Sequence, residues 1–261
     1  MKRIAVYSGT GGVGKSFIAA NMASSLFQRG IRVVLCELST NSLMSMHFGG
    51  SLLTDDLGEH DKGSVRMKSN VPPIYDNHQF HSHVLHNDFI LLTASSGSGQ
   101  GIEERLTSAM QYADRMQGMG GLMILDIPTN MQLARSELIF DVELEIVAAD
   151  PVSVAAACRH HETKKSFESR SGSAHEHYVV INKKDLRLDL SQDAASVAEL
   201  FFGDSILSCI HYDSAVPESF THKSLLNDYA PHSQAGMEIN ELSRTVADLL
   251  EPGDSEGKDL A

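Results

Sequence analysis

The chain has no tryptophan, only three cysteines among 261 residues, and an aromatic content of 6%. Cys36, Cys158 and Cys209 lie far apart and form no C-x-x-C pair, which excludes a disulfide framework and a thiolate zinc site as the basis of the fold. Cation is scarce as well. Lys and Arg number 21 against 34 Asp and Glu, leaving a net charge of −13. A surface that follows nucleic acid or anionic lipid needs clustered Lys and Arg to displace counterions, so neither is expected as a partner, and proteins are. No apolar run approaches the length of a membrane span. The opening Met1-Lys2-Arg3 leads into only Ile4-Ala5-Val6 before Tyr7-Ser8-Gly9, so neither a secretory leader nor a membrane anchor is expected and a reducing cytoplasm is the simplest compartment.

What is present suits one large α/β domain with a sizeable core: 42% hydrophobic and 21% charged residues. Short apolar runs at Ile4–Tyr7, Val33–Cys36, Phe89–Leu92, Leu122–Leu125, Ile146–Ala149, Tyr178–Ile181 and Ile206–Ile210 alternate with segments of helical period. Such alternation builds a mostly parallel, twisted sheet, here of about seven or eight strands, with helices on both faces. In the first helix Phe17, Ile18, Met22, Ala23 and Leu26 recur at three- and four-residue spacing, and Gly30 stops it where a left-handed cap is common. The least regular stretch, Gly49 to Asn87, carries Pro72-Pro73, scattered charge and five histidines, and reads as an insertion or long loop. The domain is therefore expected over residues 1–250, with 50–87 irregular. The acidic tail 251–261, holding Pro252, Gly253 and Gly257, is expected to be disordered and has no period for a lipid-binding helix.

Gly9-Thr10-Gly11-Gly12-Val13-Gly14-Lys15-Ser16 falls between the first apolar run and the first helix, the strand-loop-helix setting that a phosphate-cradling P-loop requires. Glycines let successive backbone N–H groups converge on phosphate oxygens, the helix beginning near Lys15 directs its positive end there, and Lys15 adds a mobile cation. Ser16 is placed to ligate Mg²⁺ and Phe17 follows it into the helix. The class is thus a P-loop NTPase domain, with a nucleoside triphosphate, most simply ATP, and Mg²⁺ as the expected ligands. Two later carboxylates reach the same sheet end: Glu37 closes Val33-Val34-Leu35-Cys36, and Asp126 closes Met123-Ile124-Leu125. Asp126 fits the Walker B pattern as a water-mediated magnesium partner better than a plain strand-end turn residue, and Lys15 with Asp126 forms the expected catalytic pair. Glu37 reads equally as a further metal-side carboxylate or a solvated strand end.

These stretches resemble the MinD/ParA group of P-loop ATPases, and within it the bacterial cellulose-biosynthesis family BcsQ (YhjQ). The likeness is carried by Ser8 to Ser16; by Val34 to Ser39 with Leu43 and His47-Phe48-Gly49; by Leu125-Asp126-Ile127-Pro128; by Ala149-Asp150-Pro151-Val152-Ser153; by Val180-Ile181-Asn182 with Leu190-Ser191; and by His211-Tyr212-Asp213-Ser214-Ala215-Val216 leading into Tyr229 to Ala235. It implies a cytoplasmic, nucleotide-dependent accessory protein of the cellulose synthase secretion complex, forming a homodimer with ATP at the interface and associating with BcsR- or BcsE-like partners. It also implies base contacts from Asn182, Ile210, Tyr212 and Asp213.

Thr10 stands where this group usually has a signature lysine that reaches the partner subunit's nucleotide, and Ser39 aligns with the switch aspartate that positions water. A neutral donor stabilises developing phosphate charge less than an ammonium does, and a hydroxyl is a poor base at neutral pH, so weak or absent hydrolysis is expected. Asn182 suits adenine's polar edge, since an amide both donates and accepts, but Asn182-Lys183-Lys184-Asp185 is also good turn chemistry and echoes the N-K-x-D of GTPases, which leaves GTP open. His78, His81, His83 and His86 read as a solvated loop rather than a zinc site, having no cysteine nearby. A cycling positioning ATPase would want the lysine, the aspartate and a basic or amphipathic membrane face; a small-molecule ATP-dependent enzyme on the same fold is the other alternative.

Overall fold

The computed structural model describes residues 1–40, 43–49, 80–86, 88–95, 101–115, 120–129, 131, 140–171 and 176–250. Alternation of apolar side chains along the strands sends one set to each face of a sheet, and both faces are covered. The chain runs β1 (Lys2–Tyr7), α1 (Lys15–Gln28), β2 (Val33–Glu37), a 3₁₀ turn (Met44–Phe48), β3 (Phe80–His86), β4 (Phe89–Ala94), α2 (Ile102–Arg115) and β5 (Leu122–Asp126). It continues through β6 (Val142–Ala148), α3 (Pro151–Ser171), β7 (His177–Lys184), α4 (Asp189–Phe202), β8 (Ile206–His211), α5 (Ala215–Thr221), α6 (Leu226–Tyr229) and α7 (Gln234–Leu250).

The eight strands form one sheet in the order β3-β4-β2-β5-β1-β6-β7-β8. All neighbours are parallel except β3 and β4. Ile4 and Val6 of β1, Val33 and Leu35 of β2 and Leu144 and Ile146 of β6 pack against α1 and α7 on one face. On the other face Ala5, Val34 and Leu125 meet α2, while Val147, Val179 and Ile181 meet α3 and α4. The first helix ends as expected: Gly30 takes φ +83°, its N–H bonds the Phe27 carbonyl at 2.9 Å and the Ile31 N–H bonds the Leu26 carbonyl at 3.2 Å. This is a Schellman closure, which satisfies carbonyls that the helix end would leave unpaired.

Two sequence expectations need correction. Residues 80–86 are not loop but strand: β3 pairs antiparallel with β4 from Phe80↔Ala94 to His86↔Phe89. Its alternating histidines hid it, because an edge strand faces water and tolerates polar side chains that a central strand would not. The rest of the stretch from 51 to 79 lies outside the described residues, as do His78 and the tail 251–261. The sixth strand begins earlier than its apolar run. Glu143 and Glu145 extend it, buried at 5% and 0% exposure. Their charges are met from neighbouring elements: Lys164 of α3 pairs with Glu143, and His160 of α3 and His177 of β7 each lie 3.2 Å from Glu145. Those two histidines hold the Glu145 carboxyl below its usual range against the upward push of burial.

Candidate functional site

β1 is central in the sheet, and the loop leaving its carboxyl end opens into a cavity of about 910 Å³. Gly14, immediately before α1, has φ +97°, and a Cβ there would fall 2.5 Å from Asn182 Nδ2. Both backbone strain and lack of space therefore require glycine at this position. The loop is held from β7: Asn182 Nδ2 donates to the Val13 carbonyl and Lys183 Nζ to the Gly12 carbonyl, both at 2.6 Å. Anchoring the carbonyls this way fixes the loop beside a helix N-terminus, whose first N–H groups have no intrahelical partners.

The polar floor is made by α1 and two adjacent strands. Ser16 Oγ donates to Asp126 Oδ2 at 2.6 Å, and Lys15 Nζ donates to Thr129 Oγ1 at 3.1 Å. Burial lowers the Lys15 pKa, opposed by the nearby Asp126 charge. Glu37 and Asp126 are register partners on β2 and β5. Burial, and then the Asp126 charge, push the Glu37 carboxyl up to about 9 against a lowering bond from the Met44 backbone. Asp126 is raised too, by burial, opposed by Ser16 and Lys15. Asp126 Oδ1 and Glu37 Oε1 are buried with no hydrogen-bond partner among the described residues. A serine hydroxyl beside two carboxylates with orphaned oxygens is a donor set for a hard divalent cation, so these residues fit Mg²⁺.

Two hydroxyls meet beside the loop, outside the residues that line the cavity. Thr10 Oγ1 lies 3.1 Å from Ser153 Oγ, which itself accepts the Ala148 N–H at 3.0 Å. Asp150 caps α3 by accepting the N–H groups of Val152 and Ser153 at 3.0 and 2.9 Å. Thr10 is thus engaged with its own chain. Ser39 lines the cavity. At the opposite end, Phe17, His47 and Phe220 form a run of rings, with centroids 5.9 and 5.1 Å apart. Burial lowers the His47 pKa to about 4, so this ring is neutral at pH 7. Tyr212 is half exposed beneath the Arg187 guanidinium, 5.4 Å from its ring centroid. His211 is fixed by Glu238 of α7 through its backbone N–H at 2.8 Å and its Nδ1 at 2.6 Å.

Of the residues expected at the site, Gly11, Gly12, Gly14, Lys15, Ser16, Phe17, Asp126, Asn182, Tyr212 and Asp213 line this one cavity. Gly9, Thr10 and Val13 belong to the same loop without lining the cavity, and Glu37 is buried beside Asp126 on the neighbouring strand rather than at the cavity surface. Ile210 is turned away, 1% exposed within the core. The Asp213 carboxylate is already used structurally, accepting the N–H groups of Ala215 at 2.9 Å and Ala235 at 3.2 Å. Thr129, His47, Lys183 and Phe220 also line the cavity and were not among the residues expected at the site. Thr129 was within reach, three residues past Asp126; the aromatic wall joins α1, the 3₁₀ turn and α5, which no local spacing reveals. Among the described residues, no group of three or more His, Cys, Asp or Glu is arranged to hold a metal, and His83 of β3 instead meets Thr93 Oγ1 at 3.2 Å.

A glycine-rich loop between the central strand and its helix, with a neighbouring strand ending in a buried aspartate, defines a P-loop NTPase domain of the MinD/ParA fold. The chain belongs to the BcsQ family, described as cellulose biosynthesis protein BcsQ, which matches residues 1–246. Solved structures share the fold over nearly the whole chain. A chain of the MinC:MinD cell division protein complex from Aquifex aeolicus is 19% identical at a TM-score of 0.67, covering 97% of this chain and 98% of that one. A ParA family ATPase from Chlorobium tepidum TLS is 19% identical at 0.68, covering 93% and 97%. The septum site-determining protein MinD from Pyrococcus horikoshii OT3, solved with Mg-ADP, is 16% identical at 0.65, covering 95% and 96%. No curated protein sequence matches the chain significantly. No described helix is long and apolar enough to cross a membrane.

Proposed function

We propose that this protein binds ATP with Mg²⁺ in the cavity at the end of β1 and acts as a nucleotide-dependent accessory protein of bacterial cellulose synthesis and secretion, in assembly, stability or localisation of the synthase complex, with weak or absent hydrolysis. The observation that carries the reading is the convergence of Lys15 Nζ, the Ser16–Asp126 hydrogen bond and the glycine loop on one cavity of about 910 Å³, a size that suits a nucleotide. ATP·Mg²⁺, once bound, would supply an anionic phosphate chain and a hard divalent cation. Lys15 and the loop N–H groups neutralise and orient that chain; Ser16 and Asp126 hold the cation, with Glu37 behind them; Asn182 and Lys183 keep the loop in shape.

The same geometry supports slow turnover. Ser39 offers a hydroxyl where a carboxylate would position water, and Thr10 is hydrogen-bonded to Ser153 of its own chain. Lacking one charge-stabilising donor raises a phosphoryl-transfer barrier by about 3 kcal/mol, roughly a hundredfold in rate. The protein is read as a cytoplasmic homodimer with nucleotide at the interface, with BcsR- or BcsE-like partners that bring it to the inner face of the membrane.

Size-exclusion chromatography with light scattering on the apo, ADP and ATP forms, with phosphate release followed in the same samples, tests this directly. An ATP-dependent dimer with negligible release is expected. A monomer that hydrolyses at tens of turnovers per second, or equal affinity for GTP in competition, would overturn it.

A further inference from the structure

α4 is covered along one side only. Ser191, Ala194, Ala195, Ala198 and Phe202 are buried where the helix packs on α3 and β7. Leu190, Val197 and Phe201 recur at spacings that put them on one stripe, roughly a quarter turn from the buried row, with Leu200 beside it. Leu200 is 89% exposed, Leu190 63%, Val197 55% and Phe201 42%. Leu186 and Leu188, in the turn leading into the helix, are exposed too, and Gln192 Nε2 ties that turn to α4 by donating to the Leu186 carbonyl at 2.9 Å. Several large apolar side chains exposed on one side of a helix and the turn before it mark an interaction site more often than scattered single ones do.

Charge identifies what would cover it. The helix carries no Lys, Arg or His. Asp189 and Asp193 lie on the Leu200 side of the stripe, Asp193 between Val197 and Leu200, and neither is engaged in an ion pair among the described residues. The two cations just before the helix are committed: Arg187 to Asp185 at 2.7 Å and Lys184 to Glu199 at 3.1 Å. A second copy of α4 laid parallel on the first would set aspartates against aspartates, and laid antiparallel would still offer them no cation, since the helix has none. The chain's own tail, with Glu251, Asp254, Glu256 and Asp259 against Lys258, would do the same. An anionic bilayer would be repelled.

We infer that the exposed stripe of α4 docks a cationic amphipathic helix of another protein, its apolar face on Leu190, Val197, Leu200 and Phe201 and its Lys or Arg side chains opposite Asp189 and Asp193. Helix-on-helix seating of this kind reads apolar anchors at three-, four- and seven-residue spacing, and the flanking charges set partner choice. This surface is separate from the nucleotide cavity and its occupation needs no nucleotide.

The probe is a fluorescein-labelled synthetic helix of about 16 residues, enough to span α4, with leucine along one face and lysine on its flanks. It is titrated by anisotropy into the full chain without nucleotide, with hydrogen exchange locating the contact. The expected result is micromolar binding with amide protection on Asp189–Phe202, weakened about tenfold or more by Val197→Ser with Leu200→Ser, and weakened severalfold by Asp193→Asn. These positions are exposed, so the fold should persist, which an unchanged Tm confirms. A peptide with glutamate flanks should bind at least tenfold more weakly. No binding, protection elsewhere, or affinity unchanged in the double serine variant would overturn the inference. So would self-association, or capture by phosphatidylglycerol vesicles, that the double serine variant abolishes, since these would name a second copy or a membrane as the occupant. With nucleotide left out, failure here leaves the ATP reading standing, and failure of that reading leaves this one.

Discussion

The two ends of the cavity are built on different principles. The phosphate end takes Lys15 and Ser16 from the start of α1 and Asp126 from β5, with Ser16 bonded to Asp126 Oδ2 and Lys15 to Thr129, and with Asp126 Oδ1 left without a partner among the described residues. The other end is assembled from the 3₁₀ turn, β8 and α5, and offers rings and aliphatic walls around a half-exposed Tyr212. The first end is rigid, charged and desolvated; the second is apolar, open and drawn from segments distant in sequence. A buried charge without its partner costs several kcal/mol, whereas an exposed ring contributes about one. Affinity should therefore reside at the phosphate end, and base preference at the other.

Removing the cation should break that asymmetry most. Lys15→Ala is expected to weaken ATP binding about a hundredfold by calorimetric titration, because a charge-assisted contact in a dry site is lost. Next comes Asp126→Asn, which leaves the Ser16 bond geometrically possible but strips the floor of its charge; the Mg²⁺-dependent part of ATP affinity should fall about 10- to 100-fold. An ATP affinity that stayed Mg²⁺-dependent in this variant would move the cation site elsewhere.

Glu37 sharpens the comparison through pH. Its carboxyl ionises at the ordinary 4.5 when unfolded but only near about 9 when folded. Its contribution to stability is complete below 4.5 and is lost progressively as pH rises towards 9. Urea unfolding of the apo protein should show this loss, up to about 2 kcal/mol between pH 6 and 8, and Glu37→Gln should remove it. His47 acts oppositely: held neutral in the fold, with a pKa lowered to about 4, it supplies stability above its ordinary 6.5 that disappears as pH falls through 4.

Asn182 belongs to both ends, bonding the loop while facing the cavity. Asn182→Ala orphans the Val13 carbonyl and should cost about 1–2 kcal/mol of stability together with a loss of ATP affinity. The smallest effect is expected from Tyr212→Ala, a few-fold in affinity with no change in Tm, since the ring is half exposed and its loss leaves no cavity.

The phosphate end was legible because its chemistry is local. A strand, a glycine loop, a lysine and a serine must follow one another for the loop to work, and Asp126 terminates an uninterrupted apolar run. The rest was obscured for physical reasons. Glu143 and Glu145 disguised the start of β6 because their charges are neutralised by residues from α3 and β7, far along the chain. β3 escaped notice because an edge strand does not need an apolar face. Ile210 was placed at the base although its side chain fills the core, one residue short of His211, Tyr212 and Asp213, which do face the cavity: strand alternation turns on single positions.

The strand order places β2 and β5 on one side of β1 and β7 and β8 on the other, joined through the β1–β6 pairing from Ile4↔Val142 to Tyr7↔Glu145. The cavity takes its Asp126 wall from one half and its Asn182 and Tyr212 wall from the other. A molecule reaching both walls would suture the halves across that seam, so a pulling force applied between β2 and β8 would meet a load path through the occupant in parallel with the backbone ladder.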